Sequence, residues 1–203
     1  MVAVLVGILG FLRLVPVVGV TVVYSIVAAV SRMFDRQNRF YHRLMRSWSR
    51  VMLALLGVRV VVEGIEHLQA GEPYLFLANH ASYLDIVAIG AALPEGALFV
   101  YKEELTRVPI WGWSLRLSPF IRISRSDARN AMRSIEQGAA EIRQRGESVV
   151  IFPEGARSSD GVVGPFKRGG FLLAAKTGVP LVPLALKGAS GLLPRGKLIT
   201  RPG

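Results

Sequence analysis

Residues 74–87 read YLFLANHASYLDIV, an apolar run that meets a polar cluster and then turns apolar again. Tyr74 to Asn79 has the length and content of a strand buried on both faces. Directly behind it stand Asn79, His80, Ser82 and Asp85, leading into a helix-like stretch. A buried polar group without a partner costs about 1–3 kcal/mol. Such a cluster at a strand end therefore marks a candidate site as well as a point in the fold.

Outward from this stretch, short β-rich runs alternate with helical ones. Residues 58–64, 97–102, 120–124, 148–155 and 180–187 read as further strands, most of them apolar on both faces. The clearest helix is 127–145, with Ser126 as N-cap and Gly146 as its stop. The alternation predicts an α/β fold with a mixed, largely parallel sheet covered by helices. In that architecture ligands collect beyond the carboxyl ends of the strands. Three polar clusters fall there: NHASYLD at 79–85, ISRSD at 123–127 and PEGARSSDG at 153–161. No repeat or linker divides this body, so the predicted organisation is an N-terminal helical membrane-associated segment over 1–57 and an α/β domain over 58–203.

The N-terminal segment has a different character. Arg13 is the one charge in residues 1–31, and Leu14 to Val30 is an uncharged run of 17 residues, the lower limit for crossing a bilayer core of about 30 Å. A cleaved signal peptide fits poorly, because the start lacks a basic leader and a small-x-small site. Spanning is expected, or a re-entrant hairpin bent at Pro16 and Gly19. Next come Arg32, Arg36, Arg39, Arg43, Arg46 and Arg50, spaced to stack on one face of a continuous helix, with Phe40, Leu44, Trp48, Val51 and Leu55 on the other. Such a helix suits the headgroup zone of a membrane, and a solvated stripe on a helix packed against its own domain has the same spacing. Its place behind an apolar run favours the membrane, with the arginines on the cytoplasmic side.

The composition points the same way. The chain has 203 residues, is 51% hydrophobic and carries a formal charge of +11. High apolar content with high positive charge suits an anionic membrane surface, and no nucleic-acid-binding motif is present. With no cysteine there are no disulfides, thiolate metal sites or cysteine nucleophiles. His42, His67 and His80 are not spaced as metal ligands on one element.

An irregular turn between His80 and Asp85 can bring the carboxylate to one imidazole nitrogen and leave the other to take a proton. A local cap or a satisfied core pair uses the same spacing, and the remaining clusters decide between them. NHASYLD matches the NHxxxxD motif of the glycerolipid acyltransferases. In order behind it come KEEL at 102–105, Pro109 and Gly112, Arg125, FPEGARS at 152–158 and VPLVP at 179–183. Over residues 50–188 the chain resembles the 1-acylglycerol-3-phosphate acyltransferase family. It departs from the family pattern at Pro119 and Arg122, where Gly and Phe are usual, and at Ala156, where threonine is usual.

The resemblance implies that His80 is a general base oriented by Asp85, acting on a substrate hydroxyl without an acyl-enzyme. It implies substrate binding by Asn79, Lys102, Arg125, Glu154, Gly155 and Arg157, with the cations on the acceptor phosphate and Glu154 at the acceptor or paired with Arg157. Backbone N–H groups just after His80 are expected to hold the thioester oxyanion. No metal or resident cofactor is implied; acyl-CoA or acyl-carrier protein is the co-substrate. The implied partners are membrane lipids, especially anionic ones, and a lysophospholipid, and the implied location is the cytoplasmic face of a membrane. The leading expectation is synthesis of phosphatidate from lysophosphatidate. Another lysolipid such as lyso-ornithine lipid, or a non-catalytic membrane-binding module, are the alternatives. Family members usually continue beyond the position of Gly203, so either a compact variant or a truncated chain is expected.

Overall fold

The computed structural model describes residues 2–35, 37–93, 96–107, 111–123, 128–194 and 196. Two helices, α1 (Val2–Ser31) and α2 (Arg39–Leu56), precede the body. The body runs β1 (Leu75–Ala78), α3 (Leu84–Ala92), β2 (Leu98–Lys102), a 3-10 turn (Glu103–Arg107), α4 (Trp111–Leu117), β3 (Ile121–Ile123) and α5 (Ala128–Arg145). It then continues through β4 (Val149–Ile151), α6 (Arg168–Thr177), β5 (Leu181–Leu184) and α7 (Ala189–Leu192).

The strands form one sheet in the order β3-β2-β4-β1-β5. Every pairing among the described residues is parallel, so the predicted mixed sheet contains no antiparallel strand there. Leu75 stands opposite Val149 on one side and Leu181 on the other. Side-chain alternation then assigns the two faces. Leu75, Leu77, Leu98, Val149 and Ile151 bury against Ile135, Ala139 and Ile142 of α5 and Leu173 of α6. Phe76, Ala78, Phe99 and Val150 bury against Ile89 of α3, Leu93 and Met45 of α2. Each of the Leu, Ile, Val and Phe side chains among them contributes about 1.5–3 kcal/mol on leaving water.

The connections explain where the site lies. From β1 the chain moves toward β2 and β3 through α3, on one face; from β3 and β4 it moves back toward β5 through α5 and α6, on the other. Right-handed crossovers travelling in opposite directions lie on opposite faces. The neighbours β1 and β4 are thus the point where the winding reverses, and a crevice opens beyond their carboxyl ends.

Three expectations are corrected. Residues 58–63 form no strand: Val58 and Val60 pack onto the cluster of Met52, Leu53 and Val87 instead of joining a ladder, and Val61 is 78% exposed. The re-entrant bend does not occur, since α1 is continuous through Pro16. The six-arginine stripe does not exist as one face, because the helix breaks after Ser31. Arg32 turns back to donate to Asn38 Oδ1, with Asn38 in the left-handed region at φ 56°, and Arg36 lies outside the described residues. Arg39, Arg43 and Arg50 remain exposed on α2, whereas Arg46 points inward and donates to the Leu93 carbonyl. Partial burial first, and the nearby Arg50 second, pull the Arg46 pKa below its usual value.

α1 and α2 pack together as a hairpin. Trp48 Nε1 donates to Thr21 Oγ1 at 3.3 Å, and Tyr24 shares a 2.8 Å hydrogen bond with Ser47. α2 in turn lies close on α3, where a Cβ at Gly90 would stand 2.4 Å from Ser49 Oγ. Leu14–Ser31 is long and apolar enough to cross a membrane.

Candidate active site

β1 delivers Asn79 and His80 to the crevice, and the first turn of α3 delivers Asp85. Between them the backbone folds around the carboxylate. Asp85 Oδ2 accepts the N–H groups of Ala81 at 2.7 Å and Ser82 at 2.8 Å, and His80 Nδ1 at 2.8 Å. The Asp85 side chain is 1% exposed and the His80 side chain 15%. A nitrogen facing this acceptor must carry the proton, so the imidazole is held as the Nδ1–H tautomer with Nε2 left for chemistry. Asp85 Oδ1 is buried with no hydrogen-bond partner among the described residues. The His80 ring lies stacked on Phe152, with centroids 4.0 Å apart.

The N–H groups of Ala81 and Ser82 are therefore committed to Asp85, and that of Leu84 to Ser82 Oγ. In this structure these three N–H groups are engaged within the turn itself.

The FPEGARS loop behind β4 grips the peptide of His80 from both sides. Glu154, 8% exposed, accepts the His80 N–H on Oε1 at 2.8 Å and the Gly164 N–H on Oε2 at 3.1 Å. Ser158 N–H donates to the His80 carbonyl at 2.7 Å. Gly155 makes the turn at φ 72° and is buried. Asn79 faces β5: its Nδ2 donates to the Leu186 carbonyl at 3.0 Å and its Oδ1 accepts the Leu186 N–H at 2.7 Å. Both polar ends of Asn79 thus continue the pairing of β1 with β5. In this structure the polar atoms of Asn79 and Glu154 make these bonds within the protein.

His80, Gly155, Arg157 and Lys102 line one cavity of about 910 Å³. The Arg157 guanidinium lies 3.6 Å over the Tyr83 ring. Arg125 lies outside the described residues. Much of the rest of the wall is apolar, with Leu14, Val17 and Ala28 along one face of α1 and Trp48 and Met52 of α2. Tyr41 and Tyr101 also face this space. Burial pushes both phenols above their usual pKa, so they stay neutral.

The block at KEEL and Gly112 has a packing reason. A Cβ at Gly112 would stand 2.3 Å from the backbone oxygen of Thr106, in the turn that follows Lys102. Gly112→Ala is expected to push this turn and α4 apart at a cost of about 1–3 kcal/mol. Thermal unfolding in detergent reads it as a drop in Tm; an unchanged Tm would mean the turn yields freely.

A family model described as acyltransferase matches residues 59–187. The chain belongs to the acyltransferase family. It is 33% identical over 187 residues to a chloroplastic 1-acyl-sn-glycerol-3-phosphate acyltransferase of Brassica napus, covering 89% of this chain and 54% of that one. To the 1-acyl-sn-glycerol-3-phosphate acyltransferase of Saccharomyces cerevisiae it is 32% identical over 188 residues, covering 88% and 62%. The chain thus spans about half the length of the curated relatives it matches. The crystal structure of the 1-acyl-sn-glycerophosphate acyltransferase PlsC from Thermotoga maritima superposes with a TM-score of 0.77 at 26% identity, covering 96% of this chain and 81% of that one.

Within this acyltransferase fold, sequence reasoning missed Ser82 as a brace. Its hydroxyl is fully buried, donates to the Leu193 carbonyl at 2.8 Å and accepts the Leu84 N–H at 3.2 Å. The contact spans too much sequence for any local pattern to reveal. The cavity face of α1 was legible only as apolar length, since its partner walls come from the body.

Proposed function

We propose that this chain moves a fatty acyl group from the thioester of acyl-CoA or acyl-carrier protein to the free hydroxyl of 1-acylglycerol-3-phosphate, giving phosphatidate. The observation that carries the reading is the His80–Asp85 pair at the head of an apolar cavity with Arg157 and Lys102 on its wall. That arrangement suits a substrate with an acyl chain at one end and a phosphate near the reacting hydroxyl. The relatives' names supply the acceptor.

His80 Nε2 takes the hydroxyl proton as the oxygen attacks the thioester carbonyl, and Asp85 stabilises the imidazolium through Nδ1–H. Collapse of the tetrahedral intermediate breaks the C–S bond, and the leaving thiolate takes the proton from the imidazolium. No acyl-enzyme forms. The chain has no cysteine, Ser82 is buried against Leu193, and the Ser158 hydroxyl donates to Asp160.

Arg157 and Lys102, with Arg125, are assigned to the acceptor phosphate, where guanidinium groups bind bidentately. Arg157→Ala is expected to raise the KM for lysophosphatidate by about tenfold, the loss of one charge-assisted pair, and to leave the donor KM nearly unchanged. Equal effects on both substrates would remove Arg157 from the acceptor site.

α1 anchors the enzyme. One face lines the cavity, and Val15, Val18, Val23, Ile26 and Val30 on the outside are each more than half exposed. α2 and α4 pack along α1, which supports an outer face lying in the lipid interface; the body is assigned to the cytoplasmic side, with anionic headgroups meeting Arg39, Arg43 and Arg50.

The test of the reaction is purified protein in detergent with labelled acyl-CoA or acyl-carrier protein. Lysophosphatidate and lyso-ornithine lipid are offered in parallel. Phosphatidate as the main product supports the reading, and transfer to lyso-ornithine lipid alone would replace it.

A further inference from the structure

Between β4 and α6 the chain makes an excursion that the catalytic reading leaves unused. Ser158 Oγ donates to Asp160 Oδ1, which also accepts the Val162 N–H, and the Gly161 N–H donates to Ser158 Oγ, fixing a tight turn with Gly161 at φ 82°. Beyond it Val162 is 65% exposed, Val163 54% and Phe166 48%, and the Phe166 ring lies 6.3 Å from that of Phe171. Lys167 and Arg168, both exposed, follow at once.

This loop is not a loose flap. Its feet are bonded to the site: Gly164 N–H to Glu154, Lys167 N–H to the Pro153 carbonyl and Ser158 N–H to the His80 carbonyl. Arg157 at one foot and Lys167 at the other line the cavity that contains His80. Leu172, 38% exposed, lines it as well, so the outer apolar patch runs into the cavity mouth. The inner face of α1 lines the same cavity.

We propose that Val162, Val163, Phe166 and Phe171 form a second lipid-contacting element that seats the cavity mouth on the bilayer, separate from α1. The proposal rests on the reading of the site as one that takes a lipid acceptor. A few apolar side chains beside two cations are the chemistry of shallow insertion below anionic headgroups. The patch is far smaller than the roughly 20–30 residues that each side of a stable protein interface supplies. Contact at two places, α1 and this loop, fixes which way the mouth faces. A lysolipid then passes from the leaflet to His80 without crossing water.

The absence of cysteine makes the test direct. Val163→Cys and, as a control, Gln144→Cys are labelled with an environment-sensitive fluorophore in the full chain. Gln144 is exposed near the end of α5, where the chain approaches the amino end of β4. The proteins are reconstituted into phosphatidylcholine–phosphatidylglycerol vesicles. The label at 163 is expected to shift to the blue, to be quenched by shallow nitroxide lipids and to resist iodide several-fold better than the label at 144. Equal iodide access at both sites would overturn the proposal. So would protection at 163 that follows protein concentration and ignores the nitroxide lipids, which would assign the patch to a second copy of the chain.

A second arm reads function. The triple change Val162→Ser, Val163→Ser, Phe166→Ser is expected to lower kcat/KM by about tenfold for lysophosphatidate in vesicles, from the lost apolar contact with lipid. Turnover of a short-chain soluble acceptor is expected to stay unchanged. Loss on both acceptors would overturn the assignment to lipid. The fluorescence readout needs no turnover, so it stands or falls independently of which lysolipid is the acceptor.

Discussion

Replacing His80 with alanine is expected to lower turnover by about 10²- to 10⁴-fold, the usual worth of a positioned general base. The fold is expected to survive, because the peptide of His80 is held through its N–H and carbonyl by Glu154 and Ser158, neither of which involves the ring. Asp85→Asn separates charge from shape. An asparagine oxygen at the Oδ2 position can still accept from Ala81 and Ser82, but it cannot stabilise the imidazolium, so activity is lost with little change in circular dichroism. Thiol release from acyl-CoA measures both variants. If His80→Ala kept more than about a tenth of wild-type turnover, His80 would not be the base.

The second large effect is at Glu154. Its carboxylate joins the His80 loop to the loop behind β4, so Glu154→Ala leaves two partly buried N–H groups without their acceptor, each at up to about 1–3 kcal/mol. The expected result is a lower Tm together with a fall in kcat of about 10²-fold or more as His80 leaves its reactive position. The KM for lysophosphatidate is expected to change little. Glu154→Gln is expected to lie between, since the amide can accept from His80 while its NH₂ group faces the Gly164 N–H. A carboxylate that contacted the acceptor would give the reverse pattern, a raised KM with kcat nearly retained, and that outcome would return Glu154 to the substrate.

Most strands after residue 74 were legible because they are short, largely apolar and bounded by turn residues, although β3 carries the exposed Arg122 and β5 lies half exposed at the sheet edge. Residues 58–64 carry the same valine-rich signal, yet Val58 and Val60 find their burial against α2 and α3. Apolar alternation reports that side chains will be covered and is silent on whether the backbone pairs. The arginine spacing failed for a related reason. Helical periodicity continues through residues 32–38, but Asn38 in the left-handed region and Arg32 folded back onto it interrupt the helix. At the site, His80 and Asp85 were readable because they are close in sequence. Asn79 and Glu154 were placed by motif, while their actual partners, Leu186 and the peptides of His80 and Gly164, depend on strand order.

That strand order also sets when the catalyst comes into being. β1 lies between β4 and β5, and the loop holding His80 is braced by Leu186 through Asn79 and by Leu193 through Ser82. On the ribosome the chain emerges from its amino end, so α1, the proposed anchor, is made while every strand that flanks β1 is still unsynthesised. A nascent chain arrested before Leu181 is expected to float with vesicles and to transfer no acyl group. With α1 as the anchor proposed above, delivery to the membrane would be completed before the chemistry is switched on.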